Sequence, residues 1–244
     1  MSQDDKPNSN ILSLSKQLLA RDVEPQVVAE LLKSSYSISF KKGDVFRPSL
    51  EDAQIIYFRS GCMVEVLALS DDKEYASSVW TAGYIIMSLP RSYNRFENHS
   101  NHYHCLFDSE LTVIPAASVQ KQFNRSRPLA NYVLSRASEY LYTSHDMALL
   151  RSTLDKRENI ILRLIVLYIR TPGIRLKLTI DDLCLLTNST RQYCGEVLKQ
   201  LQQDNIVHKR YGCIEVLDQA RLIDSIDPNV MTFLSNYMAL DKPQ

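Results

Sequence analysis

Along residues 11–34 the apolar side chains recur at helical spacing, Leu14 and Leu18 first, then Val27, Val28, Leu31 and Leu32. Pro25 stands where a first helical turn accepts it. At Tyr36 the period changes to two, with Tyr36, Ile38 and Phe40 alternating with serines before Lys41-Lys42-Gly43-Asp44 turns the chain. Ile55 to Phe58, the pair Ser60-Gly61, Cys62 to Leu69, the polar run Ser70 to Glu74, and Tyr75 to Trp80 predict strand, turn, strand, hairpin and strand. Short strands spaced roughly ten residues apart predict an antiparallel β-roll. After Thr81-Ala82-Gly83 the pattern blurs. Residues 90–104, polar, aromatic and rich in histidine, are expected as a loop or short helix, and Leu106 to Ile114 as the last strand before Pro115.

From Pro128 the helical period returns and holds for over forty residues, through Val133, Ala137, Tyr140, Met147 and Leu154 to the apolar run Ile160–Ile169. Val133, Tyr140, Met147 and Leu154 lie seven apart, so one stripe of a long helix stays apolar. A dimer seam is the first reading of that stripe, and packing of an amphipathic helix on its own roll is the alternative, since Ser144 and Arg151 interrupt it. Thr171-Pro172-Gly173 ends the stretch. Thr179, with Asp182 three positions on, then opens a short helix in near capping-box form. Asn188-Ser189-Thr190 breaks it, Asn tolerating a left-handed backbone and Ser189 or Thr190 offering a new cap. A second helix over about 190–203 carries Cys194, Val197, Leu198 and Leu201 on one face. Arg191, Gln192, Gly195, Glu196 and Lys199 lie on the other. This is helix-turn-helix spacing, and the polar face carries residue types that reach base edges in a major groove. Ile206 to Val216 alternates around Tyr211-Gly212, a hairpin with His208, Lys209 and Arg210 on its rising arm, placed as a wing.

Composition narrows the classes without choosing among them. The 244 residues are 45% hydrophobic and 23% charged, which excludes disordered, collagenous and rod-like chains. The 28 Lys and Arg balance 28 Asp and Glu, which argues against indiscriminate coating of nucleic acid or membrane. Split after Leu150, the first part has 15 basic and 17 acidic residues and the second 13 and 11, a weak tilt toward a nucleic-acid contact in the second part. The run Ile160–Ile169, interrupted by Arg163, is shorter than the roughly 20 residues that cross a bilayer. Residues Met1 to Asn10 lack the pattern of a secretory signal, so a cytoplasmic protein is expected. Five cysteines, Cys62, Cys105, Cys184, Cys194 and Cys213, form no C-x-x-C pair and are expected as reduced thiols. Cys184 and Cys194 fall on apolar helix faces and are expected in the core; Cys62 and Cys105 could sense oxidants only if partly exposed beside a cation. His99, His102, His104 and Cys105 crowd a window of metal-binding side chains, for which an exposed polar loop is the commoner explanation. With six glycines and none of the usual nucleophile, phosphate-loop, dinucleotide or zinc-peptidase signatures, no catalytic residue, cofactor or metal site is implied.

The segment Leu178-Thr-Ile-Asp-Asp-Leu-Cys-Leu-Leu-Thr-Asn-Ser-Thr-Arg-Gln-Tyr-Cys-Gly-Glu-Val-Leu-Lys-Gln-Leu201 resembles, without a gap, the winged helix-turn-helix of the Crp/Fnr family of bacterial transcription regulators. Phe40-Lys-Lys-Gly-Asp-Val45 and Tyr57-Phe-Arg-Ser-Gly61 are similar to the start of that family's β-roll. The resemblance implies an α+β chain in three parts. These are a β-roll like a cyclic-nucleotide-binding domain with N-terminal helices (1–127), a long dimerisation helix (128–154), and a winged helix-turn-helix DNA-binding domain (155–244). It implies DNA-binding residues Thr190, Arg191, Gln192, Gly195, Glu196, Lys199, Lys209 and Arg210. The dimer interface falls to Val133, Tyr140, Met147 and Leu154. It implies as partners double-stranded DNA with an inverted-repeat operator, a second copy of the chain and RNA polymerase, with no membrane and no enzymatic activity. Arg191 stands where the family keeps its base-reading arginine, whereas Gln192 replaces a glutamate and Glu196 a second arginine, so operator preference should differ. Glu196 either accepts from a cytosine amino group or pairs with Lys199 or an arginine on a solvated face. Cyclic-nucleotide members carry a Gly-Glu pair and then an Arg-Ser-Ala element. Here Ile85 to Pro90 has no Gly-Glu, His99-Ser100-Asn101 stands at the arginine's place, and although Arg91 or Arg95 could substitute for the arginine, the ribose-binding acid has no candidate. Cyclic AMP control is therefore not expected. Nor is the iron–sulfur cluster of the oxygen sensors, since no cysteine precedes Cys62. The alternative is a ligand- or redox-binding module whose winged helix meets proteins rather than DNA.

Overall fold

The computed structural model describes residues 13–48, 54–68, 74–88, 100–171 and 176–232. Two compact units divide between Ser144 and His145, inside the longest helix. In the first, helices α1 (Leu14–Leu19) and α2 (Pro25–Ser34) are separated by Asp22, whose φ of 60° is left-handed. Six antiparallel strands follow: β1 (Tyr36–Phe40), β2 (Val45–Phe46), β3 (Gln54–Ala68), β4 (Glu74–Thr81), β5 (Ile85–Ser88) and β6 (Ser100–Pro115). They run in the order β1-β6-β3-β4, with β2 also on β6 and β5 also on β3.

The long pair β3 and β6 is the spine, and its alternation divides the apolar residues between two cores. Ile55, Tyr57 and Ile114 face α1 and α2, joining Leu14, Leu18, Val28 and Leu31. Ile56, Phe58, Leu111 and Val113 face the interior of the roll with Phe46, Met63, Trp80 and Tyr103. Two expectations are corrected here. Ser100 to His104, expected as a loop or short helix, belong to β6, where Val45 and Phe46 pair with His104 and Tyr103 on one side and Val64 to Ala68 pair on the other. Strand pairing on both sides outweighs the polar composition. Ser60-Gly61, expected as a turn between strands, is a bulged stretch inside the single strand β3, with register shifts on both sides of Ser60 and again between Cys62 and Met63. Gly61 has φ +86°, and a Cβ there would fall on Ser109 and the Asp108 carbonyl, so glycine is required.

Helix α3 (Ala116–Phe123) was not expected from the pattern; α4 (Arg127–Thr153) was. A fresh start at Asp155 separates α4 from α5 (Lys156–Arg170), where Asp155 and Glu158 cap each other's backbone at 2.7 and 3.0 Å. In the second unit α5 is the central helix, burying Ile160 to Leu167, Arg163 included. Around it stand α6 (Ile180–Thr187), α7 (Arg191–Gln203), the hairpin β7 (Val207–Arg210) and β8 (Cys213–Val216), and a further helix α8 (Gln219–Asp224). Among the described residues no helix is long and apolar enough to cross a membrane. The hairpin around Ser70 to Lys73 and the arginines Arg91 and Arg95 lie outside the described residues, as do His99 and Pro172-Gly173.

Candidate nucleic-acid interface

Thr179 opens α6 with a reciprocal cap: its hydroxyl accepts from the Asp182 amide at 3.1 Å, and the Asp182 carboxylate accepts from the Thr179 amide at 2.8 Å. The helix ends on Asn188, left-handed at φ 52°, and Ser189 closes the turn by donating its amide to the Cys184 carbonyl. Thr190 then caps α7, accepting from the Tyr193 amide at 3.3 Å. Each link of the turn thus follows the local chemistry expected of its residue.

Helix α7 buries Cys194, Val197, Leu198 and Leu201 and exposes Arg191, Gln192, Glu196 and Lys199. Gly195 lies on the same side, and a Cβ added there would meet nothing within 4 Å. Arg191 and Asp181 form a two-point ion pair across the turn, Nε to Oδ1 at 2.7 Å and Nη2 to Oδ2 at 2.7 Å, both side chains largely exposed. Gln192 donates its amide to Glu196 at 3.1 Å. Glu196 therefore takes its partner one turn back along α7 rather than Lys199, and one carboxylate oxygen stays available. On the wing, the Lys209 amide donates to the Gln202 side chain at 3.0 Å, tying β7 to α7. Arg210 reaches Glu215 at 3.6 Å across the hairpin. Tyr211 is fully exposed at the tip beside Gly212, which has φ 65°. Arg221 of α8 donates to the Asp204 carbonyl at 2.7 Å and fastens the C-terminal end of α7.

Cys194 is buried and Cys184 half-buried; burial first, and then the neighbouring Cys194 thiol, push the Cys184 thiol up to about 12. Cys184 is thus a neutral packing group at neutral pH. In the roll, Cys62 and Cys105 are fully buried. The Cys105 thiol donates to the Phe107 carbonyl at 2.8 Å, and burial raises its pKa, so it lacks the exposure a sensing thiolate needs. His102 is buried and lies 3.6 Å from Glu74. Among the described residues no three metal-binding side chains come together.

The stripe expected on α4 splits. Val133 is packed in the core with α1 and α2, and Tyr140 lies against Trp80 with ring centres 5.3 Å apart. Met147 and Leu154 are half-buried. The large apolar side chains that α4 leaves exposed are Leu134 (62%), Leu141 (67%), Tyr142 (71%) and Leu149 (55%), with Tyr140 exposed to a lesser degree (38%). Leu134 and Leu141 share the seven-residue spacing one position over, a signal the sequence carried. Inside the roll, Trp80 also stacks on Phe58 at 6.4 Å and meets the edge of Tyr84 at 5.8 Å. Burial, with buried Glu65 beside it, pushes the Tyr140 hydroxyl up to about 12.

Residues 158–225 match the Crp-like helix-turn-helix domain family. No curated protein matches the chain in sequence. Among solved structures, FixK2 from Bradyrhizobium japonicum is similar over 79% of this chain and 98% of its own, at 16% identity and a TM-score of 0.66. A transcriptional regulator of the crp/fnr family from Eubacterium rectale covers 84% of this chain and 95% of its own, at 17% identity and 0.64. CooA from Carboxydothermus hydrogenoformans, as a variant, covers 92% and 99%, at 17% identity and 0.60. Identities this low speak for the fold, and the domain match speaks for the second unit. The two lines agree with the motif at 178–201: residues 158–225 carry a Crp-like helix-turn-helix domain, and the chain shares the fold of these solved structures.

Proposed function

We propose that the chain is a sequence-specific DNA-binding regulator that acts as a homodimer and is not controlled by cyclic AMP. The observation that carries this reading is the exposed polar face of α7, which begins with Arg191 at the N-terminal end of a capped helix. In this reading Arg191 and Gln192 reach base edges, while Thr190 and the first amides of α7 meet a phosphate. Lys199, Lys209 and Arg210 add phosphate contacts, and Gly195 allows close approach of the backbone. Glu196 is left to accept from a cytosine amino group. Dimerisation is assigned to the exposed row Leu134, Leu141, Tyr142 and Leu149 rather than to Val133 and Tyr140, which are engaged within their own unit. RNA polymerase is the further partner of a regulator bound beside a promoter.

The sequence supports independence from cyclic AMP: Ile85 to Pro90 has no Gly-Glu pair, and His99-Ser100-Asn101 stands where the Arg-Ser-Ala element would be. Selection of bound duplexes from a random pool tests the main reading, and the expected result is an enriched inverted repeat whose binding weakens steeply with salt. Binding that ignores both sequence and salt would instead favour a winged helix that meets proteins. Calorimetry with cyclic AMP should give no heat of binding at micromolar concentrations; saturable binding would overturn the effector part alone. Arg191→Ala should cost about 1–3 kcal/mol on the selected operator and relax preference at one base pair per half-site.

A further inference from the structure

We propose that Asp181 is a positioning residue that fixes which edge of the Arg191 guanidinium faces the DNA, and so sets selectivity at the base pair that Arg191 reads. The inference rests on the base-reading role proposed above. The pair bridges the first turn of α6 and the first residue of α7, with Nε–H and one Nη2–H held by the two carboxylate oxygens at 2.7 Å each. At 73% and 64% exposure it adds little to the stability of the domain. Its consequence is geometric. A guanidinium carries five N–H donors in a rigid planar fork, and Asp181 occupies the side-on edge. The free donors are the two on Nη1 and the outer one on Nη2, which form an end-on fork spaced for guanine O6 and N7.

The alternative ligand for an exposed arginine at a helix N-terminus is a phosphate, which takes a guanidinium by the same two-point geometry. With its side-on edge filled and its charge neutralised, Arg191 is a poor phosphate ligand and remains a good donor to a base edge. The carboxylate also repels the phosphate backbone, so Asp181 weakens attraction to DNA of any sequence. The net effect is lower affinity for random duplex and sharper discrimination for the correct one. Gln192 and Glu196, already joined to each other, leave Asp181 as the acid that engages Arg191.

The test compares full-length wild type, Asp181→Asn, Asp181→Ala, Arg191→Ala and the Asp181→Ala/Arg191→Ala double variant. The probes are the duplex selected from a random pool by the wild type, its single-base variants, and a scrambled duplex. Asp181→Ala should tighten binding to the scrambled duplex and cut discrimination at the Arg191-dependent base pair about tenfold, leaving other positions unchanged. Asp181→Asn keeps one oxygen acceptor and the start of α6, guards against loss of fold, and should fall between. The double variant should discriminate no worse than Arg191→Ala alone. If Asp181→Asn and Asp181→Ala raise affinity equally for every duplex and leave discrimination intact while Arg191→Ala loses it, the positioning role is wrong and the base reading stands. If Arg191→Ala itself weakens all duplexes alike, the base reading fails, and the inference with it.

Discussion

Gly195 lies in the middle of α7, where glycine costs a helix about 1 kcal/mol relative to alanine. Nothing in the protein asks for it, because a Cβ would point into open space on the exposed polar face. A glycine that the folded chain does not need fits a partner that comes close to the backbone. Gly195→Ala should therefore raise the melting free energy by about 0.5–1 kcal/mol while weakening operator binding about tenfold. Thermal melting and a binding titration on the same preparation check both signs, and a variant that is more stable and binds as well as wild type would end this role for Gly195. His102 makes a second prediction at this scale. Burial lowers its pKa below the usual 6.5, opposed by Glu74 and reinforced by Arg47 and His104. The folded chain holds the imidazole neutral, so below about pH 6.5 the unfolded chain takes up a proton that the folded one refuses. Stability from this site is intact above about pH 6.5 and declines as the pH falls through that value toward the folded pKa. Melting temperatures at about pH 7.5 and 5.5 should differ more for wild type than for His102→Gln; equal slopes would show that the buried imidazole plays no part.

At the scale of elements, caps were legible and faces were less so. Thr179, Asp182, Asn188 and Thr190 act in the structure as their local chemistry requires, because a cap depends only on residues three or four apart. The start of α5 at Asp155 rests on the same kind of local pair, Asp155 with Glu158, which the unbroken helical period from Pro128 onward masked. The length of β6 was not legible from period, because it needed pairing with β2 and β3, more than thirty residues away in sequence. Periodicity on α4 marked apolar positions but could not tell which of two adjacent heptad rows its own unit would take. Val133 went to the core beside Leu129 and Tyr132, and this left Leu134 and Leu141 outside. Replacing Leu134 and Leu141 together by lysine should give a folded monomer in sedimentation, since neither side chain supports its own unit. Val133→Asp should instead unfold the first unit, at a cost on the order of several kcal/mol for a charge in an apolar core. A dimer that survives the double lysine variant would move the interface off this row.

For the whole molecule, the balance of 28 basic against 28 acidic residues means that no overall field draws the chain to DNA, so its attraction must come from a local set of cations. On the proposed reading that set is Lys199, Lys209 and Arg210, with Arg191 neutralised by Asp181. Two protomers then bring about six phosphate contacts, and the logarithm of affinity should fall with the logarithm of salt at a slope of about −5. A two-fold dimer presents its two α7 helices in opposite senses, so the operator should be an inverted repeat with half-sites about one helical turn apart. Inserting about five base pairs between the half-sites turns one of them to the far side of the duplex, where the second helix cannot follow. Affinity should drop to that of a single half-site, and the salt slope should halve, because three of the six phosphate contacts are lost together. Titrations on the parent, inserted and direct-repeat duplexes at several salt concentrations separate the two quantities. If the inserted or direct-repeat duplex binds with the parent's affinity and slope, the two helices are not read out by one symmetric dimer, and each chain engages DNA alone.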